Sequence, residues 1–323
     1  MNQIIFGDCI EVMNKLISDG IRVQTCITSP PYFGLRDYGV DGQIGLEETP
    51  QAYVYKMVEV FRCVRDLLAD DGTLWLNLGD SYASYRDGKA KPDTTRGNSI
   101  GTLVPKGLAS NRKSSTFINS GIKHKDLIGI PWRVALALQA DGWYLRQDII
   151  WAKPNPMPES VMDRCTKSHE YIFLMSKNPQ YYFDNEAIKE PTKSESRIAR
   201  FGGNKYGDSD DPKHASGNDY IYTGTRNKRS VWTQCTKPYK GAHFATFPTQ
   251  LIEPCVLAGS RINDIVFDPF MGSGTTAEVA IKNGREYLGC ELNPEYEKLQ
   301  KERISNALAD LVIKNALGVN LFE

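Results

Sequence analysis

The segment Asp268-Pro269-Phe270-Met271-Gly272-Ser273-Gly274-Thr275-Thr276 brings together a carboxylate, an aromatic ring and two glycines one residue apart. It follows the strand-like run 263–267 and precedes a stretch with helical periodicity, so the order is strand, glycine turn, helix. Glycines at 272 and 274 let the backbone approach a ligand closely, and Thr275 and Thr276 are positioned to cap the helix. About twenty residues beyond the glycines, Glu291 ends the run Tyr287-Leu288-Gly289-Cys290, and a strand-tip carboxylate at that distance suits ribose hydroxyls. The implied chemistry is a nucleotide-type pocket. No G-x-x-x-x-G-K-[ST] sequence is present, which excludes a phosphate-cradling P-loop.

A second segment, Thr28-Ser29-Pro30-Pro31-Tyr32, follows the strand-like run 23–27. It therefore falls at the carboxyl end of a strand, where open α/β sheets place their sites. Two prolines fix the backbone, and Pro31 biases Pro30 toward extended geometry with its carbonyl aimed outward. A rigid acceptor row between a hydroxyl and an aromatic face can hold a planar, amino-bearing base, with Ser29 and a proline carbonyl on the amine and Tyr32 stacked on the ring. A plain Pro-Pro turn capped by a core tyrosine is the alternative at this stage.

These segments need a sheet to position them, and its strands are legible. Residues 2–6 and Val23–Thr28 read as strands around a helix over 9–17. From 50 to 68, Val54, Met57, Val58, Phe61, Val64 and Leu68 recur at helical spacing, and Asp70-Asp71-Gly72 reads as the helix end, with Gly72 a left-handed cap. Residues 73–78, 144–151 and 171–175 are further strands, with a helix over 132–139. Near the C-terminus, 264–268, a helix from Thr275, Glu286–Glu291 and a helix from Pro294 complete another βαβ unit. The expected class is α/β.

Residues 81–125 and 184–242 interrupt this pattern and are too long for ordinary connections. Residues 86–125 hold nine Lys or Arg against two Asp or Glu, and residues 187–240 hold eleven against six. The 323-residue chain has formal net charge zero, so two basic insertions sit on an acidic scaffold, which points to a local polyanion surface and excludes a uniformly basic protein. Seven widely spaced cysteines form no C-x-x-C pair, so neither a disulfide framework nor a metal site is expected. No apolar run reaches the roughly 18 residues of a bilayer span, and the first residues lack a signal-peptide pattern. The expectation is a cytoplasmic enzyme.

Together the two segments resemble the amino-methyltransferases of DNA, whose catalytic motif is [D/N/S]-P-P-[Y/F/W] and whose cofactor motif is D-P-F-x-G-S-G-T-T. The catalytic motif comes first here, with the longest insertion between the two, an order that resembles the β subgroup. Gly7-Asp8, Asn77-Leu78-Gly79-Asp80, Trp151-Ala152-Lys153-Pro154-Asn155 and the run 243–248 extend the likeness over most of the chain outside the insertions. The resemblance implies S-adenosylmethionine as methyl donor, double-stranded DNA as partner, and a Rossmann-like methyltransferase sheet with circularly permuted motif order. It also implies a catalytic domain of 1–183 and 243–323, carrying the basic insertion 81–125, with target recognition in 184–242.

Carried over by position, Asp268, Pro269, Phe270, Gly272, Gly274 and Thr275 would surround the cofactor's methionine part, with Thr28 nearby. Glu291 would bind its ribose, and Asp8 and Cys9 would lie by its adenine. From the residues alone, Asp8 reads equally as a helix N-cap. Ser29, Pro30, Pro31 and Tyr32 would be catalytic, acting on a base flipped from the stack, and the amine would attack directly with no covalent cysteine. Lys89, Lys91, Arg112 and Lys113 would grip the DNA backbone, while Arg226, Lys228 and Arg229 lie in the segment expected to read sequence. Ser29 favours the N4 amine of cytosine over N6 of adenine, because Ser-Pro-Pro-Tyr is commoner among cytosine-N4 members. A protein glutamine methyltransferase and a non-catalytic DNA-binding module remain as alternatives.

Overall fold

The computed structural model describes residues 1–35, 37–83, 122–192, 197–200, 219–222, 224–236 and 247–316. The chain divides into two compact units, Met1–Phe183 with Ser230–Glu323, and Asp184–Arg229. The larger unit opens with β1 (Gln3–Phe6), α1 (Cys9–Ser18), β2 (Val23–Thr28), α2 (Pro50–Leu67) and β3 (Leu68–Leu78). It continues through α3 (Ile130–Ala140), β4 (Tyr144–Ala152) and β5 (His169–Ser176). Four short strands, β6 (Glu190–Pro191), β7 (Arg197–Arg200), β8 (Asp219–Tyr222) and β9 (Thr225–Arg226), form two antiparallel pairs in the smaller unit. The chain then returns to the larger unit with β10 (Val231–Thr233), α4 (Thr249–Gly259), β11 (Ile265–Asp268), α5 (Thr275–Lys282), β12 (Glu286–Glu291) and α6 (Glu297–Ala316).

The central sheet runs β1-β12-β11-β2-β3-β5-β4-β10. Every neighbouring pair is parallel except those of β5, which runs against both β3 and β4. All six residues of β2 are buried, as expected of a parallel strand covered on both faces. On one face α2 packs against α1 and α3, and on the other α5 packs against α4 and α6. Of the stripe predicted for α2, Val54, Met57, Phe61 and Val64 are buried and Val58 is half-buried, while Leu68 is buried just past the helix; Tyr53, Val60 and Leu67 complete the buried face. Each such side chain contributes about 1.5–3 kcal/mol by leaving water. Pro50 starts that helix, and the Thr49 hydroxyl caps it by accepting from the Ala52 amide at 3.1 Å.

One local expectation is overturned. Helix α2 passes straight into β3 at Leu68, and Gly72 lies inside the strand, outside the left-handed region. Glycine is needed there because a Cβ would sit 2.9 Å from the Ala69 carbonyl oxygen and 3.0 Å from that of Gln24. The register between β2 and β3 shifts at this point, which accommodates Asp70-Asp71-Gly72 without ending the strand. Within the segment 184–242, Asp184–Arg229 forms the smaller compact unit, and Val231–Thr233 pairs in parallel with β4 of the larger one. Among the described residues no helix is long and apolar enough to cross a membrane.

The topology places the site. From β2 the chain moves outward to β3 on one side, and from β11 it moves to β12 on the other, while β11 and β2 are themselves neighbours. Loops leaving the carboxyl ends of these two strands diverge, and the crevice between them is where an open α/β sheet binds its ligands.

Candidate active site

At the tip of β11, Asp268 is almost fully buried and fastens the crevice together. Its carboxylate accepts from the Thr28 hydroxyl at 2.6 Å, the Phe270 amide at 2.9 Å and the Thr276 hydroxyl at 2.7 Å, joining β11 to β2, to the turn and to α5. Burial pushes the carboxyl up to about 6 against the pull of these three donors. Thr28 is therefore not a ligand-facing residue. It has no exposed surface and gives its hydroxyl to Asp268. The helix caps are corrected likewise. Residue 274, a glycine with φ +86°, caps α5 without a side chain, Thr276 serves Asp268, and the Thr275 hydroxyl accepts from Arg303.

The glycine turn is held from both sides. Glu291, at the tip of β12, accepts from the Gly272 amide at 2.7 Å and the Asn293 amide at 2.8 Å, and the Gln300 side-chain amide of α6 donates to the Gly272 carbonyl at 2.7 Å. Gly272 has φ +54°, a conformation that favours glycine. Burial raises the Glu291 carboxyl, and the backbone amides of Asn293, Gly272 and Leu292 partly offset this. At the tip of β1, the Gly7 amide donates to the Glu291 carbonyl at 2.9 Å, and Asp8 caps α1 by accepting from Ile10 and Glu11. Asp8 caps the helix and also lines the crevice.

One pocket opens over these strand tips. Asp8, Cys9, Ser29, Pro31, Asp268, Pro269, Phe270, Gly272, Thr275 and Glu291 all line it. Tyr38, Val40, Gln43 and Ile44 close one side, with Phe247, Asn293 and Tyr296 elsewhere around the rim. Gly274, Pro30 and Tyr32 do not line it. Pro30 is buried, and Tyr32 is turned under the loop, with its hydroxyl 2.8 Å from Glu170 Oε2, 3.1 Å from Asn77 Oδ1 and 3.2 Å from Ser29 Oγ. The Tyr53 hydroxyl donates to the Pro31 carbonyl at 2.9 Å. The Cys9 thiol is pushed up to about 12 by burial and the neighbouring Asp8 charge.

The pocket wall also contains an unsatisfied polar atom. Ser273 Oγ is buried and has no hydrogen-bond partner among the described residues, a costly condition unless a ligand completes it. A strand-tip carboxylate bonded to a glycine turn, aromatic rings in the lining and an unpartnered hydroxyl fit a nucleoside joined to a short polar chain.

The family model described as DNA methylase, of the N6 and N4 type, matches residues 23–302. The chain belongs to this family. M.SmaI, a type II methyltransferase of Serratia marcescens, is 48% identical over 94% of this chain and 90% of its own length. M.Cfr9I, a type II methyltransferase of Citrobacter freundii, is 44% identical over 92% of this chain and 86% of its own length. Among solved structures, the cytosine-N4-specific PvuII DNA methyltransferase superposes with a TM-score of 0.59 at 18% identity, covering 94% of this chain and 86% of that one. The Thermus thermophilus protein TTHA0409, complexed with S-adenosyl-L-methionine, superposes with a TM-score of 0.55 at 23% identity, covering 95% and 94% of the two chains. These two likenesses show the fold. The chain is an S-adenosylmethionine-dependent DNA amino-methyltransferase.

Lys89, Lys91, Arg112 and Lys113 are outside the described residues. In the smaller unit, Arg226, Lys228 and Arg229 gather around Glu190, at 3.4, 3.8 and 3.2 Å. Sequence reasoning misses Gln300, Ser273 and the network beneath Ser29. Gln300 lies one turn into a long helix with nothing to mark it. Ser273 reads as filler between two glycines. The length of the glycine-rich stretch 38–45 after Tyr32 is the available sign of a loop folded back over the pocket.

Proposed function

We propose that this amino-methyltransferase modifies the N4 amine of cytosine in double-stranded DNA, with the base flipped into the crevice beside the cofactor. The observation that carries this reading is the placement of Ser29, which lines the same pocket as Phe270, Gly272 and Glu291 but stands on the neighbouring strand end. Phe270, Gly272, Ser273 and Thr275 would hold the methionine part of S-adenosylmethionine, Glu291 its ribose hydroxyls, and Asp8 and Cys9 would border its adenine. When bound, the cofactor supplies a methyl group on positively charged sulfur.

The remaining work falls to the chain. An exocyclic amine is a weak nucleophile because its lone pair is conjugated into the ring. Ser29 Oγ would accept one amine hydrogen, and the carbonyl of Pro30, a residue set between the pocket-lining Ser29 and Pro31, would accept the other, which localises the lone pair and stabilises positive charge developing on nitrogen. Fixing the base on a proline-stiffened loop places the nitrogen at near-attack distance. Cys9, the cysteine that lines the pocket, keeps its proton at neutral pH, consistent with attack by nitrogen and no covalent intermediate. Arg226, Lys228 and Arg229, gathered around Glu190, would face the DNA in the segment that reads its sequence.

Digesting methylated DNA to nucleosides and identifying the modified base by mass tests the choice. N4-methylcytosine is expected. N6-methyladenine without N4-methylcytosine would refute the base assignment and leave the family and cofactor standing.

A further inference from the structure

Beneath the Ser29 loop lies a chain of hydrogen bonds whose direction is set from one end. Tyr32 has a single hydroxyl hydrogen. Two of its neighbours, Glu170 Oε2 at 2.8 Å and Asn77 Oδ1 at 3.1 Å, are acceptors. The Asn77 amide is oriented by donating to the Tyr171 carbonyl at 3.0 Å. Lys153 pairs with the other oxygen of Glu170, and its ammonium lies 4.1 Å from the centre of the Trp151 ring, so an ion pair in a half-dry setting anchors this end. The Tyr32 hydrogen is therefore committed away from Ser29, and the tyrosine oxygen is left as an acceptor. Ser29 Oγ, at 3.2 Å, donates to it. With its own hydrogen pointing inward, Ser29 turns only lone pairs toward the pocket.

We infer that Glu170, acting through Tyr32, is a positioning residue that makes Ser29 an obligatory acceptor for the target amine. The inference rests on the proposed role of Ser29. A serine hydroxyl can otherwise donate or accept, and a donating Ser29 would oppose a hydrogen-bearing amine. The ion pair with Lys153 fixes the acceptor character at the far end, and Tyr32 carries it to the loop. The ring has space reserved for it, since a Cβ at Gly79 would lie 2.6 Å from Tyr32 Cε2. Trp151, Lys153, Asn77 and Gly79, which the sequence offers only as scattered likenesses, thereby acquire one shared task.

The test is single-turnover methylation of duplex DNA at saturating S-adenosylmethionine in the full chain, with Glu170→Gln, Ser29→Ala and their combination. Glu170→Gln is expected to slow methyl transfer roughly ten- to a hundredfold, the scale of one hydrogen bond to a charged group, while cofactor affinity stays within about threefold. In the Ser29→Ala background the same change should have no further effect, because no hydroxyl remains to be oriented. Tyr32→Phe, which removes one oxygen and keeps the ring, should match Glu170→Gln and carries the test if that variant does not fold. Wild-type speed in Glu170→Gln, or its full slowing retained on top of Ser29→Ala, overturns the inference while leaving Ser29 catalytic. Wild-type speed in Ser29→Ala alone refutes the Ser29 reading itself.

Discussion

Gly272→Val is expected to remove measurable S-adenosylmethionine binding while the sheet stays folded. The residue has φ +54°, gives its amide to Glu291 at 2.7 Å and takes the Gln300 side-chain amide at 2.7 Å, so the turn is fastened at both peptide groups. A Cβ alone would meet only the Phe270 carbonyl oxygen at 3.8 Å, so simple crowding by the first carbon is not the cause. The left-handed conformation costs an L-residue about 1–2 kcal/mol, and a β-branched one more. Relaxing the turn would break its hydrogen bond to the Glu291 carboxylate, at about 1.5–3 kcal/mol. Keeping the turn would instead project valine methyls into the pocket. The first route lowers affinity by roughly ten- to a hundredfold at about 1.4 kcal/mol per factor of ten, and the second fills the space the cofactor would occupy. Isothermal calorimetry on folded protein checks this, and unchanged affinity would sink the proposed cofactor site.

Ser29→Ala is expected to lower the methyl-transfer rate by roughly a hundred- to a thousandfold, as for other preorganised groups that stabilise developing charge. Cofactor affinity should stay within a few-fold, because the hydroxyl bonds to Tyr32 and not to the glycine turn. Removing one neutral hydrogen bond should cost only about 1 kcal/mol of stability. Single-turnover rates and calorimetry on the same preparation separate these effects. Full activity in Ser29→Ala would move catalysis away from this loop.

The parts of the fold that can be read in advance are those where local chemistry and tertiary demand agree. Val23–Thr28 and Glu286–Glu291 are short segments with strand-forming residues and abrupt ends, and both are strands with those bounds. Asp70-Asp71-Gly72 misleads because acidic residues before glycine are ordinary helix stops. Its glycine serves close packing under the Gln24 and Ala69 carbonyls, which only the folded chain brings near. Val231–Thr233 escapes sequence reading because three residues carry no period, although pairing with β4 gives them a place.

The same distinction holds at the site. The turn 268–275 and Glu291 announce themselves because their spacing follows from one βαβ unit. Thr28 looks like part of a ligand-binding motif, but its partner is Asp268, a contact across 240 positions of sequence. Tyr32 reads as a stacking platform, and the bond from its hydroxyl to Glu170 spans 138 positions and depends on β5 running antiparallel beside β3. Spacing cannot reveal a partner supplied by sheet order.

A structure of the chain with S-adenosylhomocysteine and a duplex containing its methylated site tests the central claim most directly. The product's ribose hydroxyls are expected on Glu291, its amino-acid part against Phe270, Ser273 and Thr275, and an extrahelical cytosine with its N4 amine within hydrogen-bond reach of Ser29 Oγ and the Pro30 carbonyl. A base still stacked in the duplex, or an amine held by other residues, would contradict it.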